Sequence, residues 1–320
     1  MRTNLCIALI CLAAFGMFCT EHQGAPVNII YDTDMASDVD DVGTLALLHA
    51  LADLGEAEIL AAMVSSQNEY VVPCLNAINT YYGRPDIPIG SVKDGVEAES
   101  RYTKAVAESY PHTIQSSSDV PDAAELYRKI LANQPDGSVV IVSVGFLTNL
   151  SNLLHTEPDR YSNLDGIDLV MKKVKVWVCM GGHFPQGREY NIHTDAAASL
   201  IAVENWPTPI VFSGYEIGKK IMTGERLKGT PESNPVRTAY FHFNGLSNRE
   251  SWDQTAALYA VRGLRDYWDV GTGGHLYINQ DGSNEWRTIE EAQHSYLIEK
   301  MAPADLEKII EDLMLKPPKG

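Results

Sequence analysis

Short apolar runs alternate along this chain with longer stretches whose apolar positions recur every three or four residues. Val27 to Tyr31 is short, β-branched and aromatic and carries no charge, the pattern of a buried strand. Leu45, Leu48 and Ala52 follow at helical spacing, in a helix that opens at Val42 and packs back onto that strand. Ile59–Val64 predicts a second strand, residues 71–82 a helix stopped by Gly83 and Pro85, and Ile87–Ile89 a short strand. Pro121–Leu131 reads as a helix with proline at its start, Ser138–Val144 as a strand and Leu147–Leu154 as a short helix. Val174–Met180 is a buried strand that breaks at Gly181-Gly182. A helix over Asp195–Val203, a strand over Ile210–Phe212, a helix over Asp253–Leu264 and a last helix marked by Leu306, Ile309, Ile310 and Leu313 complete the series. Residues 91–119 are polar and irregular and read as a loop region near a site mouth. Such alternation predicts an α/β fold with a mainly parallel open sheet flanked by helices. No repeat, low-complexity segment or linker interrupts it, so residues 26–320 are expected to form a single domain.

The first 25 residues stand apart. Arg2 precedes an apolar stretch from Ile7 to Phe18, too short to span a bilayer comfortably, and polar Thr20 to Gln23 follow. This is the pattern of a secretory signal peptide, and it predicts an exported protein. Cys19 raises lipid anchoring as an alternative, but Gly16-Met17-Phe18 matches the small-residue consensus of such sites poorly. Beyond the leader only Cys74 and Cys179 remain, both in apolar patterns, so buried free thiols are expected rather than a disulfide framework. Composition adds one exclusion. A formal net charge of −17 argues against a nucleic-acid backbone or an anionic membrane surface as partner and fits a protein that concentrates cations and handles neutral or modestly charged substrates.

The chemistry concentrates just after the first strand. Asp32, Asp34, Asp38, Asp40 and Asp41 put five carboxylates within ten residues, in a turn at the carboxyl end of a strand. Open α/β sheets place their ligands there. Helix capping accounts for Asp40 and Asp41, but not for the other three. Carboxylates this close repel one another unless a cation compensates them, which points to a hard divalent ion, Ca²⁺ or Mg²⁺. Other strand ends carry polar residues of their own: Asn68, the segment Val144 to Asn149, Met180-Gly181-Gly182-His183 with Glu189-Tyr190-Asn191, and Trp252-Asp253. Taken singly, each has an ordinary structural explanation as a cap or a surface charge.

In this order, the segments resemble the inosine-uridine preferring nucleoside hydrolases, Ca²⁺ enzymes that cleave the N-glycosidic bond of ribonucleosides. The resemblance covers essentially all of the chain after the leader and implies a Rossmann-like core. By that similarity Asp34, Asp41, the Val144 carbonyl and Asp253 would hold Ca²⁺. Asp34 would also serve as the catalytic base. Asp40, Asn68, Met180, Glu189 and Asn191 would bind the substrate, chiefly through its ribose. The chemistry is consistent: N-glycoside hydrolysis develops positive charge on the sugar and needs an activated water, and ribose hydroxyls suit a hard cation.

One position departs from the family. Members often carry a histidine just before the last metal-binding aspartate, placed to protonate the departing base, and here Trp252 stands there. An indole does not ionise usefully at neutral pH. It could stack on a base or sugar, or pack in the core. His183, His193, His242 and Tyr215 are the alternative donors, and the substrate is a nucleoside or a related riboside. Two other readings compete. A haloacid-dehalogenase-type phosphohydrolase would use Asp32 as nucleophile and Asp34 as acid and base, leaving Asp40-Asp41 unexplained. An exported riboside-binding protein would keep the metal site without turnover. Self-association is left open by the sequence.

Overall fold

The computed structural model describes residues 24–289 and 293–319. Most of the segment read as a leader, with Cys6, Cys11 and Cys19, lies outside the described residues. In chain order the strands are β1 (Val27–Thr33), β2 (Ala57–Gln67), β3 (Ile89–Glu97), β4 (Val139–Ser143), β5 (Val174–Met180), β6 (Gln186–Gly187), β7 (Ile210–Ser213), β8 (Met222–Thr223), β9 (Arg249–Glu250), β10 (Trp268–Ile278), β11 (Asn284–Thr288) and β12 (His294–Glu299). Strands β8 and β9 pair with each other, and the other ten form one sheet in the order β3-β2-β1-β4-β5-β7-β12-β10-β11-β6. From β3 through β12 all neighbours are parallel, whereas β10, β11 and β6 add an antiparallel end. The expected mainly parallel α/β sheet is therefore observed.

Helices cover both faces. On one face β1 contributes Ile29 and Tyr31 to a core shared with the helices Asp40–Asp53, Val71–Tyr81, Trp252–Arg262 and Pro303–Met314. On the other, Ile30 packs with the helices Ala123–Ala132, Thr148–Leu154, Gly166–Lys173 and Ala196–Asn205. Strand side chains alternate between faces, so Tyr31 and Thr33 turn toward the first group and Asp32 toward the second. From β1 the chain builds outward through β2 to β3, then returns past β1 to β4. The direction of winding thus reverses between β1 and β4, where such sheets open a crevice at their carboxyl ends. Asp32 pairs with Ser143 there, so the two strands end level.

Some elements differ from the sequence expectation. Residues 91–119 are not an irregular loop: β3 runs on to Glu97 at the sheet edge, and Thr103–Ser109 is a helix. Lys93, Asp94 and Glu97 suit an edge strand, which tolerates charge and so does not look like a strand in the sequence. The helices Gly166–Lys173 and Pro235–Asn244 and the hairpin β10–β11 were not anticipated. β10 carries Gly271, Gly273 and Gly274, which break its apolar pattern. Cys74 and Cys179 are free and buried, as expected. No helix among the described residues is long and apolar enough to cross a membrane.

What positions the site is a close helix crossing. Gly43 lies where a Cβ would come within 2.6 Å of both the Gln254 amide nitrogen and the Tyr240 hydroxyl, all three residues being buried. Without a side chain at Gly43, the helix Asp40–Asp53 settles against Trp252–Arg262, and their N-termini meet. Gly43→Ala should therefore destabilise the fold by about 1–3 kcal/mol through overpacking, read as a lower denaturant midpoint. An unchanged midpoint would contradict the tight crossing.

Candidate active site

A cavity of about 330 Å³ opens at the carboxyl ends of β1, β4, β5 and β7. Asp34 stands just past β1, Val144 just past β4, Met180 ends β5 and Tyr215 follows β7, and all four line it. From more distant parts of the chain come Asp40 and Asp41, Glu189 and Asn191, and Arg249, Trp252 and Asp253.

Asp40 and Asp41 open one helix, and Asp253 is the second residue of another. Neither helix has a side-chain cap of its own. Instead the Asp253 amide donates to Asp40 Oδ2 at 3.2 Å, so a carboxylate from a remote segment caps the second helix. Both N-termini thus bring partial positive charge to the cavity, where it offsets the carboxylates. Carboxylate oxygens of Asp40, Asp41 and Asp253 all lie within 4.8 Å of one another. Asp34 lines the same cavity but stands outside this trio, and Asp40, expected on the substrate side, is inside it. Asp40 adjoins Asp41 on the helix, whereas Asp34 belongs to the preceding turn.

The turn is held tightly. Asp41 Oδ1 accepts hydrogen bonds from the Thr33 hydroxyl and, at 3.1 Å, from the Met35 amide. Met35 has a φ of 40°, a strained value for a side chain of its size. The Ser66 hydroxyl on β2 donates to the Asp34 carbonyl at 2.6 Å. Gly145 closes the turn from the β4 side: a Cβ there would stand 2.3 Å from the Asp34 backbone nitrogen. On the outer lip, Tyr102 donates to the Asp38 carbonyl at 2.6 Å, and Arg249 Nε donates to both Asp38 carboxylate oxygens at 3.0 and 3.1 Å.

Burial dominates the electrostatics. It pushes the Asp34 carboxyl up to about 7, helped by the charges of Asp40 and Asp38 and opposed by a hydrogen bond with Asp41. Burial likewise drives Asp40, Asp41 and Asp253 well above the ordinary carboxylate range, and their mutual repulsion adds to it. Glu189 is raised to about 7 by burial, against the amides of Asn191, Ile192 and Gly182 that donate to it at 2.8, 3.1 and 3.4 Å. Glu189 therefore caps the short helix Tyr190–Thr194. The Asn191 amide nitrogen donates to the Val144 carbonyl at 2.8 Å and lies 3.4 Å from the Met180 carbonyl and sulfur. Trp252 donates its indole N–H to the Tyr215 carbonyl at 2.8 Å, and the two rings stack with centroids 5.6 Å apart.

Asn68 is not in this cavity. β2 continues to Gln67, which carries Asn68 past the strand end into a separate polar groove. There its side chain donates to the Ala98 carbonyl at 2.8 Å and accepts from the Tyr70 amide at 3.0 Å. β2 supports the site through Ser66 instead. Asp32 is also absent from it. Alternation along β1 turns its carboxylate to the opposite face, where the Tyr127 hydroxyl donates at 2.8 Å and the Asn149 amide at 3.2 Å to each oxygen. A nucleophile sealed in this way does not fit the phosphohydrolase reading. His183, His193 and His242 do not line the cavity, whereas Tyr215 does. Ser37, Asp38, Tyr190 and Arg249 line it without having been singled out as ligands. Tyr190 lies between two flagged residues and was findable. Arg249 sits in a polar run that resembles ordinary surface, and only the tertiary pairing reveals it.

A family model described as "Inosine-uridine preferring nucleoside hydrolase" matches residues 29–287. The pyrimidine-specific ribonucleoside hydrolase RihA of Salmonella agona is 29% identical over 245 residues, which cover 70% of this chain and 73% of that protein. In fold, the chain is similar to the inosine-uridine preferring nucleoside hydrolase from Bacillus anthracis, with a TM-score of 0.70 at 16% identity over 90% of this chain and 99% of the other. It is also similar to the type III effector protein XopQ, solved with adenosine diphosphate ribose, at a TM-score of 0.64 and 15% identity over 90% and 92% of the two chains. Likeness at such identities establishes architecture and leaves the substrate to the site. The family match spans most of the sequence and includes every carboxylate of the cavity, so this chain belongs to the inosine-uridine preferring nucleoside hydrolases, enzymes that hydrolyse N-glycosyl bonds.

Proposed function

We propose that the protein is a Ca²⁺-dependent N-ribohydrolase and that Asp34 is its general base. The observation that carries this reading is the meeting of Asp40, Asp41 and Asp253, more than two hundred positions apart in sequence, with their oxygens within 4.8 Å of one another inside a cavity. The donor set suits a hard cation: Asp41, Asp253 and the Val144 carbonyl as ligands, with Asp34 and Asp40 beside them. Calcium held there would orient and acidify a water and draw in the hydroxyls of the sugar.

The side chains divide the remaining work. Asp34, raised to about 7 by burial, is poised to take a proton near neutral pH. Asp40 and Glu189 offer carboxylate oxygens to ribose hydroxyls, and Asn191 ties the Val144 carbonyl in place while lining the same space. Negative charge around the sugar also favours an oxocarbenium-like transition state. Trp252 and Tyr215 form an aromatic corner against which the leaving group would rest. The leader over residues 1–25 supports export of the enzyme.

Replacing the base tests the assignment. Asp34→Asn should lower kcat for ribose release by about a hundredfold or more, with the fold retained by circular dichroism; undiminished turnover would remove Asp34 from that role.

Metal binding carries a signature in pH. Folding raises these carboxyls, so the metal-free fold gains stability from them below the ordinary carboxylate range and loses it as pH rises through about 7. A divalent ion binds the ionised form and reverses that loss. Calcium at about a hundred times its Kd should raise Tm by on the order of 5 °C near neutral pH and by clearly less near pH 5. Equal stabilisation at both would contradict this account of the trio.

A further inference from the structure

The antiparallel end of the sheet supplies no side chain to the cavity among the described residues. Its hairpin β10–β11 nevertheless touches the segment 181–193 on both sides of Glu189, Tyr190 and Asn191, which do line the cavity. On one side stands Asn284, the first residue of β11, which is buried. Its carboxamide oxygen accepts from the His183 amide at 3.0 Å, and its nitrogen donates to the His183 carbonyl at 2.9 Å. One side chain thus does for His183 what a residue on a neighbouring strand would do. On the other side Gly282, in the hairpin turn, lies against the helix Tyr190–Thr194. A Cβ at Gly282 would stand 2.5 Å from the His193 Cα.

The segment has little regular structure of its own. β6 is two residues long and pairs with β11, and the Trp286 amide donates to the Pro185 carbonyl at 2.7 Å. The helix Tyr190–Thr194 has five residues, too few to persist without tertiary support. From the β7 side the Tyr215 amide donates to the Gly182 carbonyl at 2.8 Å. The Gly182 amide in turn lies 3.4 Å from Glu189 Oε2. The conformation held at His183 is therefore passed, one residue back along the chain, to the carboxylate that faces the sugar.

We propose that Asn284 is a positioning residue for the sugar-binding side of the cavity: through His183 and Gly182 it sets where Glu189 and Asn191 stand, without touching substrate itself. The inference rests on the ribose-binding role given to Glu189 above and extends it to a strand outside the cavity. Asp40, Asp41 and Asp253 are carried instead by two helices that lean on each other at Gly43. Loosening the hairpin should accordingly weaken the grip on the sugar and spare the grip on calcium. A displacement of about 1 Å in a substrate-positioning group is enough for a large loss.

The test compares the wild-type enzyme with two variants. Asn284→Leu removes both hydrogen bonds at nearly constant volume, and Gly282→Ala disturbs the same segment from its other side while leaving Asn284 in place. Ribose release from inosine and from uridine at saturating CaCl₂ gives KM and kcat. The calcium concentration that produces half of the rise in Tm reports the cage separately. KM should rise by about tenfold or more in each variant, with the calcium midpoint unchanged. A protein that is merely less well folded has fewer active molecules, which lowers kcat and leaves KM alone. That pattern in both variants, or a calcium midpoint that shifts in step with KM, would overturn the inference and leave the hydrolase reading standing. No ribose from either nucleoside with the wild-type enzyme would overturn the ribose-binding assignment and this inference with it.

Discussion

Repulsion among buried carboxylates is the constraint on which this architecture turns. Asp34, Asp40, Asp41 and Asp253 are almost wholly removed from water, and each is driven toward its neutral form by that burial. Keeping several of them ionised together costs several kcal/mol, which the fold offsets only in part. Two helix N-termini aim at the group, the Thr33 hydroxyl and Met35 amide hold Asp41, and Arg249 neutralises Asp38 at the rim. A divalent cation would supply the remainder. The site is therefore an acidic cage whose mutual repulsion a bound cation would relieve.

That cage is assembled from backbone approach as much as from side chains. Gly43 lets one helix lean on another, and Gly145 lets the end of β4 press on the aspartate turn. Both contacts lie beside the reversal of winding between β1 and β4, the point at which a parallel sheet leaves room for a ligand. The aromatic corner depends on the same kind of closeness: at Gly218, a Cβ would stand 2.3 Å from the Trp252 Cα. Function is thus specified partly by residues that contribute no chemistry.

Much of this was legible in the sequence, and the reason is local. β1 and β5 are signalled by short, mostly apolar runs, the helix Val71–Tyr81 by its apolar positions and the Gly83 and Pro85 that stop it, and the aspartate turn by its unusual charge density. The family resemblance then brought Val144, Glu189, Asn191 and Asp253 toward the same site, and the fold gathers them in one cavity. What escaped depends on pairing across long distances. β10 is broken by glycines, β3 is charged because it lies at an edge, and Arg249 acquires its role only by reaching Asp38. Asn68 illustrates the opposite error: the strand runs three residues beyond the expected end at Val64, to Gln67, and carries Asn68 past the cavity, a shift that sequence spacing does not reveal. Asp40, expected on the substrate side, also stands within reach of Asp253, because it opens the same helix as Asp41.

The claim beneath all of this is that one cation is gripped between the start of the helix Asp40–Asp53 and the start of the helix Trp252–Arg262. Anomalous diffraction from crystals grown with saturating calcium tests it directly. The account predicts a single ion with carboxylate oxygens of Asp41 and Asp253 at about 2.3–2.6 Å. A cage left empty at saturating calcium, or an ion bound elsewhere while Asp41 and Asp253 remain unliganded, would contradict it.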